Sequence, residues 1–207
     1  ERYNDKLLFT KCSYQSWVGL MDEATTKDAV KFKDYIVGAR RRVLAPSEKV
    51  DFMDKIQIRV DDSIIFSGLI AKFMFTSSNL PNDVNLMEKY GSEVIIFNPS
   101  FEKKFETEHL PIFHAVFEQQ FQQGYPKNVL KVGSFRNTYL HEISHPFLRY
   151  RDAESRLREY FPVFDEIAAS VFGVRQCGSL LLKDAISQKE LEAIMVMFVS
   201  RAFSWWM

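Results

Sequence analysis

The stretch TYLHEISHPF, Thr138 to Phe147, decides how this chain is read, because it sets His141 and His145 four residues apart around Glu142. On an α-helix, residues i and i+4 lie on one face a turn apart, so both imidazoles can reach a single ion. Glu142 follows His141 and points about 100° further round, toward a water on that ion rather than toward the ion itself. Zinc lowers the pKa of such a water, and a carboxylate can take its proton as it attacks a carbonyl. This chemistry needs a helix, and Phe135 to Ser144 reads as one, with Ser134 or Asn137 as start signals. Pro146 disfavours helical geometry in the residue before it, so the helix is expected to end or kink at His145.

Two histidines leave a zinc site one protein ligand short. The chain has four histidines; His109 and His114 lie upstream, and none follows His145. A third histidine in the metzincin position is excluded, because Arg151 stands there. A cysteine ligand of the peptide-deformylase kind is excluded as well, since Cys12 is too remote and its neighbours do not match. An acidic residue downstream remains, with Asp152, Glu154, Glu159, Asp165 and Glu166 as candidates. Glu166 sits in the segment FDEIAAS, and Ala169 and Ser170 fall one turn later on its helical face. Small residues there let a second helix approach the HEISH helix closely enough to share an ion.

HEISH followed by DEIAAS resembles the gluzincin metallopeptidases, the thermolysin-like zincins, over about residues 93 to 173. The resemblance implies a zinc cofactor, His141 and His145 as the histidine ligands, Glu166 as the third ligand and Glu142 as the general base. The leucine-HE-aliphatic-x-H texture is also similar to uncharacterised bacterial families of predicted metallopeptidases. In the thermolysin-like pattern an aspartate orients the first zinc histidine. Ser170 stands at that position here, so support for the ring is weaker or comes from Asp165. The oxyanion-stabilising histidine of that pattern has no counterpart after residue 145, which leaves Arg149, Tyr150, Tyr160 and Arg175 as candidate donors. The apolar strand Glu93–Phe97 resembles the zincin strand that borders the cleft. An extended substrate is expected to add to its free edge; the apolar run Val94–Phe97 fits a central strand equally, in which case Ile64 to Phe75 is the next candidate.

The rest of the chain is consistent with that frame. At 207 residues it fits one domain with a substantial core. Lysine plus arginine and aspartate plus glutamate balance at 27 each, so no excess charge points to nucleic acid or an anionic membrane as partner. The run Arg40-Arg41-Arg42 reads as a solvated helix end. No apolar run approaches the ~20 residues needed to cross a bilayer, so no membrane insertion is expected. Cys12 and Cys177 make no disulfide framework, and a buried apolar role is expected of them. The chain begins at Glu1 without methionine, from which an extracytoplasmic location, secreted or periplasmic, is the expectation.

Periodicity predicts a helix from Thr26 to Leu44, a strand over Ile56–Val60 continued by Ile64–Phe75 as one strand or as two pieces around Gly68, and a loop over Ser78–Asp83. It also predicts a helix from Leu110 to Gln123, a helix from Pro162 to Phe172 stopped by Gly173, and a last helix from Ser187 to Trp206. Ser187 and Glu190 form a capping box for that last helix. The expected fold is α+β, a single zincin-like domain spanning 1–207. It has a small N-terminal sheet (sheet-rich part about 50–100), active-site helices at about 135–173 and a mostly helical C-terminal half ending in helix 187–206. The expected function is zinc-dependent hydrolysis of peptide bonds in a protein or peptide substrate. The alternative is a catalytically inactive zincin-like interaction domain that retains a metal site.

Overall fold

The computed structural model of the chain describes residues 2–4, 12–43, 55–68, 75–81, 84–147 and 152–203. Its described strands are β1 (Arg2–Asn4), β2 (Cys12–Met21), β3 (Gln57–Gly68), β4 (Ser77–Leu80) and β5 (Glu93–Phe97). They form one sheet in the order β1-β2-β3-β5-β4, antiparallel except for the parallel β3–β5 pair. The fold is α+β, as the residue pattern predicts, and the sheet draws on the first twenty residues as well as on 57–97.

The sheet corrects two local readings. β3 is one strand over Gln57–Gly68, and residues 69–74 of the expected strand lie outside the described residues. Ser77–Leu80, of which Ser78 onward reads as a loop, is a short edge strand among the described residues. β5 has no free edge. Its run Val94–Phe97 is buried and pairs with β3 on one side and β4 on the other, the usual fate of a continuous apolar strand. The edge nearest the HEISH helix is therefore β4, and no described strand pairs with its other side.

The helices are α1 (Glu23–Val43), α2 (Val84–Tyr90), α3 (Asn98–Lys104), α4 (Leu110–Val116), α5 (Gln119–Gln122), α6 (Lys127–Ser144), α7 (Ala153–Leu157), α8 (Phe161–Leu182) and α9 (Gln188–Phe203). Asp22 caps α1: its carboxylate accepts from the Thr25 amide at 3.0 Å and the Thr25 hydroxyl at 2.5 Å. The predicted capping box starts α9, with Ser187 N–H donating to Glu190 Oε2 (2.6 Å) and Glu190 N–H to Ser187 Oγ (3.2 Å). The predicted helix 110–123 breaks at Phe117, which is extended (φ −102°, ψ 144°). The Gln122 amide donates to the carbonyls of His114 and Phe117 and so satisfies the broken end. A π-turn over Phe105–His109 joins α3 to α4.

The central helix is α6, flanked by α1, α8, α9 and β4. It begins after Pro126, eight residues before the expected start, and Ser134 and Asn137 are interior positions rather than caps. Both are buried and bonded across the helix interface, Ser134 to His109 and Asn137 to Arg201. The main core joins Phe32 and Ile36 of α1, Val60, Val94 and Ile96 of the sheet, and Tyr139, Leu140 and Ile143 of α6. Burial pushes the Cys177 thiol up to about 11, so this residue is the inert apolar cysteine expected. The side chains of Arg40, Arg41, Arg42 and Cys12 lie outside the described residues, as do Arg149, Tyr150, Arg151, Trp205 and Trp206.

Gly173 does not stop α8, which runs on to Leu182. It is the point where α8 crosses α6: a Cβ added there would lie 2.9 Å from the Leu140 carbonyl oxygen and 3.2 Å from the His141 nitrogen. Gly133 does the same for α9, where a Cβ would meet the Ala193 carbonyl at 2.6 Å. Because backbone, not a flexible side chain, stands in the way, Gly173→Ala is expected to destabilise the fold by about 1–3 kcal/mol. It is also expected to weaken metal binding by moving α8 off His141. Denaturant unfolding with and without zinc checks both effects.

Candidate metal centre

His141 lies in the last turn of α6, and His145 opens the 3-10 turn His145–Phe147 that Pro146 enforces. The helix thus ends where the sequence predicts, and His145 keeps helical angles (φ −48°, ψ −42°), so the i, i+4 geometry survives. The two rings lie 4.8 Å apart at 82° to one another. Glu166 comes to them from α8, two turns before Gly173 on the face that packs against α6.

His141 Nε2 is 3.2 Å from Glu166 Oε2, and His145 Nε2 is 3.9 Å from Glu166 Oε1. Donor atoms of all three residues fall within 4.8 Å of one another. Ligands about 2.0–2.2 Å from a tetrahedral zinc sit roughly 3.3–3.6 Å apart, so the triad fits that ion with little adjustment. The remaining ring nitrogens are occupied. His145 Nδ1 meets the buried Asp165 carboxylate at 3.0 Å, and His141 Nδ1 meets Ser170 Oγ at 3.1 Å. This leaves each Nε2 directed at the shared point, the arrangement that orients imidazole ligands. Asp165 therefore supports the second histidine and Ser170 the first. A serine hydroxyl donates or accepts as the tautomer requires. The hydrogen bond from His141 holds the Glu166 carboxyl below its ordinary range, against a smaller opposing effect of burial.

Glu142 lies beside the triad without joining it. Its Oε2 is 3.8 Å from His145 Nε2, and its Oε1 accepts a 2.6 Å hydrogen bond from the Ser77 hydroxyl on β4. Asn79, also on β4, donates from Nδ2 to the Glu142 carbonyl at 2.8 Å. Of the candidate oxyanion donors, Tyr160 is 61% exposed, and Arg175 is an exposed residue nine positions after Glu166, about 13 Å further along α8. A cation that the sequence reading missed is Arg201 on α9, which donates to Asn137 Oδ1 (2.9 Å) and Thr138 Oγ1 (3.3 Å), one turn before His141. Burial pulls its guanidinium down, and the charges of Glu142 and Glu166 pull it back up. Beside the triad a cavity of about 680 Å³ opens between α8 and α9, with Val163, Ile167 and Phe198 among its apolar walls.

Behind the site, His109 is buried at the end of the π-turn with Nδ1 2.9 Å from Ser134 Oγ. Burial first, then the charges of Arg201 and Lys104, lower its pKa from 6.5 to about 3. It stays neutral in the fold while the unfolded chain takes up a proton below 6.5. Its contribution is therefore complete above pH 6.5 and is lost as pH falls toward 3, at up to about 1.4 kcal/mol per unit. His109→Gln is expected to flatten the fall in urea midpoint between pH 6.5 and 4.5. An unchanged slope would show that other groups carry the acid sensitivity.

No family model matches the sequence. Among curated proteins the chain is 24% identical over 214 residues to Nudix hydrolase 3 of Arabidopsis thaliana, covering 98% of this chain and 27% of that protein. Among solved structures it superposes on DPP III from Caldithrix abyssi with a TM-score of 0.80 at 22% identity, over 96% of this chain and 39% of that one. Dipeptidyl-peptidase III from Corallococcus sp. strain EGB gives a TM-score of 0.69 at 17% identity, over 93% and 37%. The fold is thus shared with part of these peptidases, and the chain spans about a quarter of the curated relative's length and under two-fifths of theirs. No described helix is long and apolar enough to cross a membrane.

Proposed function

We propose that the chain carries the zinc centre of a gluzincin-type metallopeptidase and hydrolyses peptide bonds. The observation that carries this is the convergence of His141, His145 and Glu166 on one point, with the other nitrogen of each ring held by Ser170 or Asp165. Likeness of fold to two proteins named as dipeptidyl-peptidase III supports the same reaction class. A zinc ion held by these three residues supplies a Lewis acid that polarises a carbonyl and acidifies water.

The chain's own residues do the rest. Glu142 takes the proton of the attacking water at Oε2, the oxygen that faces the histidines, and delivers it to the leaving amine. Asp165 keeps the Nδ1 proton of His145 in place, which fixes that ring's tautomer through the reaction. The edge of β4 that no described strand pairs takes the extended main chain of the substrate by strand addition, on the strand from which Ser77 meets Glu142.

The test is metal content and hydrolysis measured together. The whole chain, loaded with zinc, is assayed on a dipeptidyl arylamide and on an unstructured polypeptide. One zinc per chain with cleavage of either substrate supports the proposal. Zinc with no cleavage of either leaves the interaction domain, and absence of zinc binding ends both readings.

A further inference from the structure

Within an α-helix the carbonyl of residue 142 accepts from the N–H of residue 146. Residue 146 is proline and has no N–H to give. The backbone of the proposed general base is therefore deprived of its helical partner by the sequence itself. Asn79 of β4 supplies the missing donor, 2.8 Å from the Glu142 oxygen. The Asn79 amide is oriented by the Glu142 carbonyl, which can only accept and so must face Nδ2, while its own oxygen accepts from Ser92 Oγ at 2.6 Å at a buried position. Two residues earlier, on the same side of the strand, Ser77 holds Glu142 Oε1 at 2.6 Å. One face of one short strand thus grips a single residue at both its backbone and its carboxylate. β4 in turn is tied to the sheet through Ser77 opposite Ile96 and Asn79 opposite Val94.

We propose that Ser77 and Asn79 are positioning residues that lock the general base Glu142 to the edge strand. The proton acceptor and the strand that takes the substrate main chain then move as one rigid unit. This inference rests on the peptidase reading above. Pro146 is what makes the lock necessary. By cancelling the competing helical bond it hands the Glu142 carbonyl to Asn79, and it frees the end of α6 to lie against β4. With Oε1 held by Ser77, only Oε2 faces the histidines, 3.8 Å from His145 Nε2. The base has one orientation rather than several, and small misplacements of such groups cost up to ~10²-fold in rate.

The experiment has two arms on the whole chain. In the first, Ser77→Ala and Ser77→Thr are assayed with zinc on a peptide that the wild type cleaves. Ser77→Ala is expected to lower kcat about ten- to a hundredfold with KM and zinc stoichiometry unchanged, and Ser77→Thr, which keeps a hydroxyl, is expected to restore most of it. In the second, unfolding midpoints of the metal-free proteins are compared. Asn79→Ala is expected to lower the midpoint, and adding Pro146→Ala, which returns an N–H to position 146, is expected to recover part of that loss.

An active wild type with Ser77→Ala at full kcat overturns the lock and leaves the peptidase reading standing. So does a Ser77→Ala variant whose KM and zinc content change along with kcat. Additive effects of Asn79→Ala and Pro146→Ala overturn the carbonyl half of the lock. A wild type that cleaves no peptide overturns the peptidase reading and the catalytic meaning of the lock together.

Discussion

Glu142→Gln is expected to keep the fold and the zinc and to lose ~10²–10⁴-fold in peptide hydrolysis, the range typical of removing a positioned proton acceptor. Glutamine preserves the shape of the side chain, and its amide oxygen can still accept the Ser77 hydrogen bond, so the contact to β4 survives. None of the three converging donors is touched. What is lost is the ability to hold a proton at the oxygen facing His145. The measurement is kcat/KM of the zinc-loaded variant beside its zinc stoichiometry. Undiminished hydrolysis would remove Glu142 from the mechanism, even with zinc bound.

Replacing either histidine is expected to abolish zinc retention and hydrolysis together, and the two replacements are expected to differ in stability. His141→Ala deprives Ser170 of a partner, and a neutral, half-buried hydroxyl is cheap to leave with water. His145→Ala removes the imidazole from the buried carboxylate of Asp165. Breaking a buried pair from one side costs about 3–5 kcal/mol, so His145→Ala should unfold at markedly lower denaturant than His141→Ala. Both must be compared without metal, since loss of bound zinc would otherwise lower the two midpoints alike. Equal midpoints would mean that Asp165 is satisfied elsewhere and does not serve to orient His145.

The parts of the site legible in the sequence are those written locally. HEISH carries its own geometry, because helical periodicity alone puts His141 and His145 on one face. Pro146 announces the end of α6, and the small residues after Glu166 announce a close helix approach. The role of Gly173 is not legible, because a glycine that ends a helix and a glycine that lets two helices touch look the same along the chain. Only the Leu140 carbonyl, 2.9 Å from where a Cβ would stand, separates the two. β4 is not legible because its four residues, SSNL, lack the alternation that marks longer strands, and whether β5 is an edge or a central strand stays open because sequence does not record which strands lie beside it. Ser77 and Asn79 reach Glu142 across separations of 65 and 63 residues, beyond any periodic signal. One clue was nevertheless present. A proline four residues after Glu142 requires some donor for that carbonyl, and the requirement could have been stated before its partner was known. Arg201 is not legible as a site residue because its bonds to Asn137 and Thr138 depend on how α9 crosses α6.

The central claim is that His141, His145 and Glu166 hold one zinc ion, and X-ray absorption at the zinc edge of the loaded wild-type chain tests it most directly. The expected shell is two imidazole nitrogens at about 2.0–2.1 Å with carboxylate oxygen at about 2.0–2.2 Å and no sulfur. The carboxylate contribution should disappear in Glu166→Ala. A sulfur shell near ~2.3 Å, a single imidazole, or a wild-type chain that retains no zinc would contradict the account.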